Sequence, residues 1–315
     1  MTAVLASAVA LAEDEWTARA AAYRARVDRW VAPHVERRRA GRSHPVLDFL
    51  FTYYSEPPGR LRRWHPGVGI VLDGDAARER LAWPRYAEVD AVDADGRPVR
   101  GVGLDLPAFL ARRGEGLRVI ADLLRRTSGR PAQFGCFGLH EWAMVYWPEP
   151  GEVRHAVPLR LGQDGTDAVV DAARLQCSHV DAYRFFSRRS APLNAMRPTR
   201  ERQRDLEQPG CLHAGMDLFK WAYKLSPAVP GELLADCLDL AGEIRELDMR
   251  ASPYDLGEFG YAPVAIETPD GKAEYVTAQR AFAARGAVLR ARLLEVCDAL
   301  LAARMMISPA QRGAT

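Results

Sequence analysis

The chain has 315 residues, with 43 Lys or Arg against 41 Asp or Glu for a net charge of +2, and 48% of its residues are hydrophobic. That is enough for one large domain or two ordinary ones with a sizeable core, and the near-neutral balance gives no concentrated basic surface of the kind on which nucleic-acid binding usually rests. No apolar run reaches the roughly 18 to 20 residues that span a bilayer.

The Ala-rich start, Met1 to Ala12, lacks a basic n-region and runs into Glu13, Asp14 and Glu15, so no signal peptide is expected. The five cysteines are odd in number and hold no C-x-x-C pair. Reduced thiols, a cytoplasmic location and no membrane partner are therefore expected. Trp16, Ala20, Tyr23, Val27, Trp30 and Val31 recur at helical spacing, predicting a helix over 13–31 that ends near Pro33. In H-P-V-L-D-F-L-F-T-Y-Y, from His44 to Tyr54, Ser43 or His44 can cap a helix that stops at Pro57-Pro58 and carries His44 and Asp48 on one side. R-L-R-R-W-H-P-G-V-G, Arg60 to Gly69, joins a basic cluster and an aromatic to a Gly-bounded turn able to present N–H groups to phosphate.

Val89 to Asp105 alternates around Asp95-Gly96 as a short hairpin. Leu106 to Arg126 reads as a helix closed by Ser128-Gly129-Arg130-Pro131. Phe134 to Trp147 places His140 and Glu141 in one of the most apolar stretches, where a buried charge needs a partner or a metal. Arg154 to Leu161 alternates like a strand, and Asp167 to Leu175 reads as a short helix. S-H-V-D-A-Y-R-F-F, Ser178 to Phe186, is expected as a strand with His179, Asp181 and Tyr183 on one face. Pro192 to Gly210, holding Arg197, Arg200, Arg202 and Arg204, is a candidate lid or anion-contacting loop. C-L-H-A-G-M-D-L-F-K-W-A-Y, Cys211 to Tyr223, sets His213, Asp217, Lys220 and Lys224 along one stripe of a helix, beside an apolar stripe of Met216, Phe219 and Tyr223. A helix over 232–249 follows, ending in a charged segment where Glu246 and Arg250 form an i,i+4 pair and Asp248 and Asp255 face elsewhere. Val264 to Glu267 and Glu274 to Val276 around Pro269-Asp270-Gly271-Lys272 read as a second hairpin, a last helix spans 278–305, and 309–315 forms a disordered tail.

These elements predict a predominantly α-helical α+β fold, one globular domain over 1–308, with helices around a central polar pocket and two short β-hairpins. The pocket is expected between the helices at 44–54 and 213–224. Four His/carboxylate pairs, His44/Asp48, His140/Glu141, His179/Asp181 and His213/Asp217, allow two chemistries if they converge. In one, His44, His140, His179 and His213 with a carboxylate hold zinc or iron and leave a position open for water or oxygen. In the other no cofactor is needed. Tyr53, Trp64, Trp142, Tyr183 and Trp221 then stack on a planar substrate, His65, Asp181 and Arg250 line the pocket, and Asp217 or Asp48 stabilises a cationic transition state with His213, His140 and Glu141 as acid/base partners. Lys220 is the alternative nucleophile. A non-catalytic binding protein with satisfied structural pairs is the third reading.

H-P-V-L-D-F-L-F-T-Y-Y, R-R-W-H-P-G-V-G, F-G-L-H-E-W-A-M-V-Y, H-V-D-A-Y-R-F-F, Q-P-G-C-L-H-A-G-M-D-L-F-K-W-A-Y-K-L and R-E-L-D-M-R-A-S-P-Y-D-L together resemble a family from high-GC bacteria labelled 3-methyladenine DNA glycosylase. The resemblance covers most of the chain. It implies a hydrolase of DNA repair that cleaves N-glycosidic bonds of alkylated bases in damaged duplex DNA, or of a related nucleoside. The Gly-rich hairpin and helical catalytic Asp of helix-hairpin-helix glycosylases have only His65 to Gly69 and Asp90 as counterparts, so the resemblance assigns no catalytic residue.

Overall fold

The computed structural model describes residues 8–149 and 157–310. Helices dominate. In chain order they are α1 (Glu13–Arg39), α2 (Phe49–Thr52), α3 (Pro58–Leu61), α4 (Leu106–Ser128), α5 (Leu139–Met144), α6 (Gly162–Asp171), α7 (Val180–Tyr183), α8 (Gln203–Leu206), α9 (Leu212–Lys224), α10 (Gly231–Arg250) and α11 (Pro269–Ala310). Four strands, β1 (Val9–Leu11), β2 (Ile70–Leu72), β3 (Tyr86–Val92) and β4 (Pro98–Leu104), close on themselves in the order β1-β2-β4-β3. β3 and β4 pair antiparallel from Tyr86↔Leu104 to Val92↔Pro98, so the first hairpin forms around Asp95-Gly96, while β1 lies parallel to both β2 and β3. Gly101 and Gly103 lie against β2, where a Cβ on Gly101 would fall 2.4 Å from the carbonyl oxygen of Leu72.

α9 is buried along almost its whole length and lies against both α10 and α11, with α4 on the far side of α11 and α1 against α10. One apolar core runs from Trp16 to Ala303 across all five. α4 begins as its sequence dictates, with the Asp105 side chain accepting from Ala108 N at 3.0 Å and Pro107 in the first turn.

Several expectations change. α1 does not end at Pro33 but runs on to Arg39, because the extra turns bury His34 against Asp48. The missing N–H removes one bond from a helix whose packing outweighs it. The segment from His44 is a capped turn with only Phe49–Thr52 helical: His44 Nδ1 accepts from Val46 N and Leu47 N, each at 3.2 Å. Ser178 to Phe186 is a helical turn and not a strand, so His179, Asp181 and Tyr183 do not share a pleated face. The second hairpin is absent: Thr268 caps α11, accepting from Gly271 N at 3.1 Å, with Pro269 at the first position, so Pro-Asp-Gly here opens a helix. Gly271 is required because a Cβ would meet the carbonyl of Ala265. Of the strand expected at 154–161, residues 154–156 lie outside the described set, and Leu159 makes only an isolated bridge to Tyr254. Residues 311–315 of the expected tail also lie outside it, while 309 and 310 belong to α11.

Candidate metal centre

Three of the histidines meet inside the helical layers. His140 stands in the first turn of α5, His179 immediately precedes α7, and His213 lies in the first turn of α9. The His140 and His213 rings sit edge to face with centroids 4.5 Å apart, and His213 stacks on His179 at 5.2 Å. A carboxylate closes each end of this row. His140 Nε2 lies 3.1 Å from Asp248 in the last turns of α10, and His179 Nε2 lies 3.4 Å from Asp217 and 3.7 Å from Glu207, the residue that ends α8. Two groups result, His140/His213/Asp248 and His179/Glu207/Asp217, and within each the ligand atoms lie within 4.8 Å of one another.

The surroundings are charged but sealed. Lys220, one turn beyond Asp217, bonds to Asp217 and reaches Asp181 at 3.4 Å; Arg200 bonds Asp181 at 2.6 Å. Tyr54 donates to the second oxygen of Asp217 at 3.2 Å. Arg245 bonds Glu141 at 3.1 Å and stands 3.7 Å from Asp248. Burial would raise the Asp217 carboxyl, yet the Lys220 ammonium holds it below the ordinary carboxylate range. Burial likewise opposes ionisation of Asp248, but the His140 cation beside it lowers it to about 2. His140 moves the other way: burial disfavours its charge, and Asp248 wins and raises it well above its usual value. His213, buried and next to charged His140, is pushed down to about 3 and stands neutral, with a lone pair to offer. Burial raises Glu207 against the pull of His179.

Beside His140 and His213 a cavity of about 20 Å³ is lined by Cys136, Cys177, Cys211 and Tyr275. That volume holds one water-sized ligand. Cys136 Sγ stands 3.8 Å from His140 Nδ1, on the side of the ring away from Asp248.

The other expected site residues fall elsewhere. His44 packs on Phe259 and Tyr261, and Asp48 is held by His34 at 2.9 Å, Arg37 and the His44 backbone. The two H-x-x-x-D segments therefore do not face each other across one cavity; only Tyr53 and Tyr54 reach Asp217 and Asp181 from the first. Trp64 and Trp142 are core residues, donating to Glu232 and to the Ala251 carbonyl at 2.9 Å each, and neither offers an open face. Tyr183 donates to the Ala191 carbonyl, and His65 pairs with the Tyr86 hydroxyl at 2.8 Å. Trp221 lies under the Lys220 and Lys224 ammonium groups. Arg250 bonds the Ala262 carbonyl and Glu274, not Glu246, because the turn after α10 brings α11 alongside. In the 192–210 loop Arg197 binds the loop's own carbonyls and Arg200 binds Asp181, so these two arginines tie the segment down.

Asp248 had a signal in the sequence, since it continues the Cys237, Leu240, Ala241, Ile244 face of α10 at i+4. Glu207 had none; it follows a four-residue helix in a polar loop. The fold and site thus define a mainly helical protein built around a buried His/carboxylate cluster. No family model, curated protein or solved structure matches the chain.

Proposed function

We propose that this protein is a metal-dependent enzyme, with zinc or iron held by His140, His213 and Asp248 and by the facing set of His179, Asp217 and Glu207, and with room beside the first set for a water-sized reactant. One observation carries this reading. His179 is 1% exposed, and neither ring nitrogen makes a hydrogen bond, although Nε2 stands 3.4 and 3.7 Å from two carboxylate oxygens. A buried imidazole whose Nδ1 has no polar partner and whose Nε2 faces two carboxylates without hydrogen-bond geometry is costly. Ligand atoms that each sit about 2.0–2.2 Å from a shared metal lie roughly 3.3–3.6 Å apart in a tetrahedron, and the 3.4 Å His179–Asp217 separation has that value, while the 3.1 Å His140–Asp248 separation is that of a hydrogen bond.

A bound ion of this kind supplies Lewis acidity and lowers the pKa of bound water. The chain's own groups do the rest: neutral His213 offers a lone pair beside the small cavity, His140 would have to release to solvent the Nε2 proton that Asp248 stabilises before it could serve as a ligand, and Lys220 fixes Asp217.

The test is elemental analysis of protein purified without chelator, and again after incubation with zinc or ferrous iron and desalting. About one or two ions per chain are expected, falling at least tenfold in His213→Ala and His179→Ala. Protein that retains no ion in either preparation overturns the proposal.

The N-glycosidase reading rests on the sequence resemblance. It requires release of free alkylated base from treated duplex DNA at low salt, and that release should survive chelation. Base release lost with the metal would instead join the two readings in one site.

A further inference from the structure

A second region of the molecule, on the surface beyond the C-terminal end of α9, has a different chemistry. A cleft of about 630 Å³ lies between the loop after α2, the β-barrel and α4. Five of its lining side chains are Arg60, Arg63, Arg85, Arg113 and Lys224. None of these five makes an ion pair among the described residues; Arg63 and Lys224 only lie over the indole rings of Trp83 and Trp221. Glu56 is the sole carboxylate in the lining, and burial lifts it to about 7 against the pull of Arg60, Arg113 and Arg63.

Like charges are thus gathered with Glu56 alone to compensate them. Burial, then the charges of Arg113, Arg112 and Arg60, lower the Arg85 pKa, and Arg85 is held at φ 69, a left-handed conformation unusual outside glycine. Arg113 Nε and the Ser226 hydroxyl are shut off from solvent and bond to nothing. Buried donors left unpaired in a site of repelling cations mark a place where an anion completes the structure.

We propose that this cleft binds the diphosphate group of a small phosphorylated ligand. Five cations and two unpaired donors match an anion carrying about three negative charges near neutral pH, and the volume lies in the range of roughly 300–1,000 Å³ typical of small-molecule sites. A nucleic-acid backbone fits less well, because it needs an extended basic track and this chain's net charge is only +2. The Gly-bounded turn in Arg60 to Gly69 is not the phosphate loop: Val68 N bonds the Ala228 carbonyl, and Gly67 packs against Pro230. The side chains flanking it serve instead.

Calorimetric titration of the full chain with inorganic pyrophosphate, ADP, adenosine and a ten-nucleotide single strand, at 50 and 300 mM salt, tests this. Pyrophosphate or ADP is expected to bind at low salt at least tenfold more tightly than adenosine, and to weaken with salt. Equal affinities for both identify the diphosphate alone as the determinant, while tighter ADP binding adds the nucleoside. Arg60→Gln, Arg63→Gln and Lys224→Gln replace exposed cations and should each weaken binding at least threefold with unchanged thermal melting. Arg24→Gln, on α1 outside the cleft, should not. Adenosine binding as tightly as ADP, the oligonucleotide binding more tightly than either diphosphate, or no binding of pyrophosphate and ADP at 50 mM salt overturns the proposal. None of these outcomes depends on the metal centre.

Discussion

Lys220 has the environment of a structural cation. Its side chain is 11% exposed, lies between Asp217 and Asp181, and covers the Trp221 ring. Burial disfavours its charge, but Asp217 and Asp181 raise its pKa, so it stays an ammonium and is not poised to attack as a neutral amine. Removing one partner of a buried pair strands the other, which typically costs about 3–5 kcal/mol. Lys220→Met is therefore expected to lose about that much in urea unfolding. Adding Asp217→Asn should recover part of the loss, and a double variant no more stable than the single one would show that the cost lies elsewhere.

At the scale of elements, the α1/α10 contact depends on one absent side chain. A Cβ at Gly242 would fall 2.2 Å from the Trp30 ring, and Trp30 is pinned there by its Nε1 donating to Asp239 at 2.6 Å. Arg26 adds a bond to the same carboxylate at 2.8 Å. Gly242→Ala must push the indole or the helix away, although alanine by itself favours a helix, and overpacking of this kind costs about 1–3 kcal/mol. A lower melting temperature is expected, restored when Trp30→Leu makes room. A Gly242→Ala protein as stable as the parent would mean that the two helices separate without penalty.

At the scale of the whole molecule, the His/carboxylate cluster gathers α5, α7, α8, α9 and α10 at one point. An ion bound there stabilises the folded chain by mass action, about 2.7 kcal/mol when its concentration is 100 times its dissociation constant. Chelated protein is expected to melt several degrees lower than the same sample with zinc or iron restored. The shift should vanish in His179→Ala, and a parent protein whose melting temperature ignores both chelator and added metal contradicts the site.

Much of this architecture was legible along the chain because it depends on local periodicity. Apolar spacing located α4, α9 and α10 and the Asp95-Gly96 hairpin, and ionisable residues on apolar stretches singled out His140, His213 and Asp217. Errors arose where tertiary contact overrode local preference: Pro33 inside α1, and Ser178 to Phe186 as a helical turn. The Pro-Asp-Gly of α11 differs for a local reason, since Thr268 caps a helix where Pro269-Asp270-Gly271-Lys272 suggests a hairpin turn. Convergence was not legible at all. His44 and His213 share a motif yet belong to different regions, while His140, His179 and Asp248 come together from three segments. Glu207 joins them from a loop without pattern. The sequence alone determined which residues had to be buried and which buried groups would need partners, since hydrophobicity and helical spacing are properties of neighbours. Only the tertiary structure decided which partners they found, because packing α9 against α10 and α11 brings together side chains separated by a hundred residues of chain.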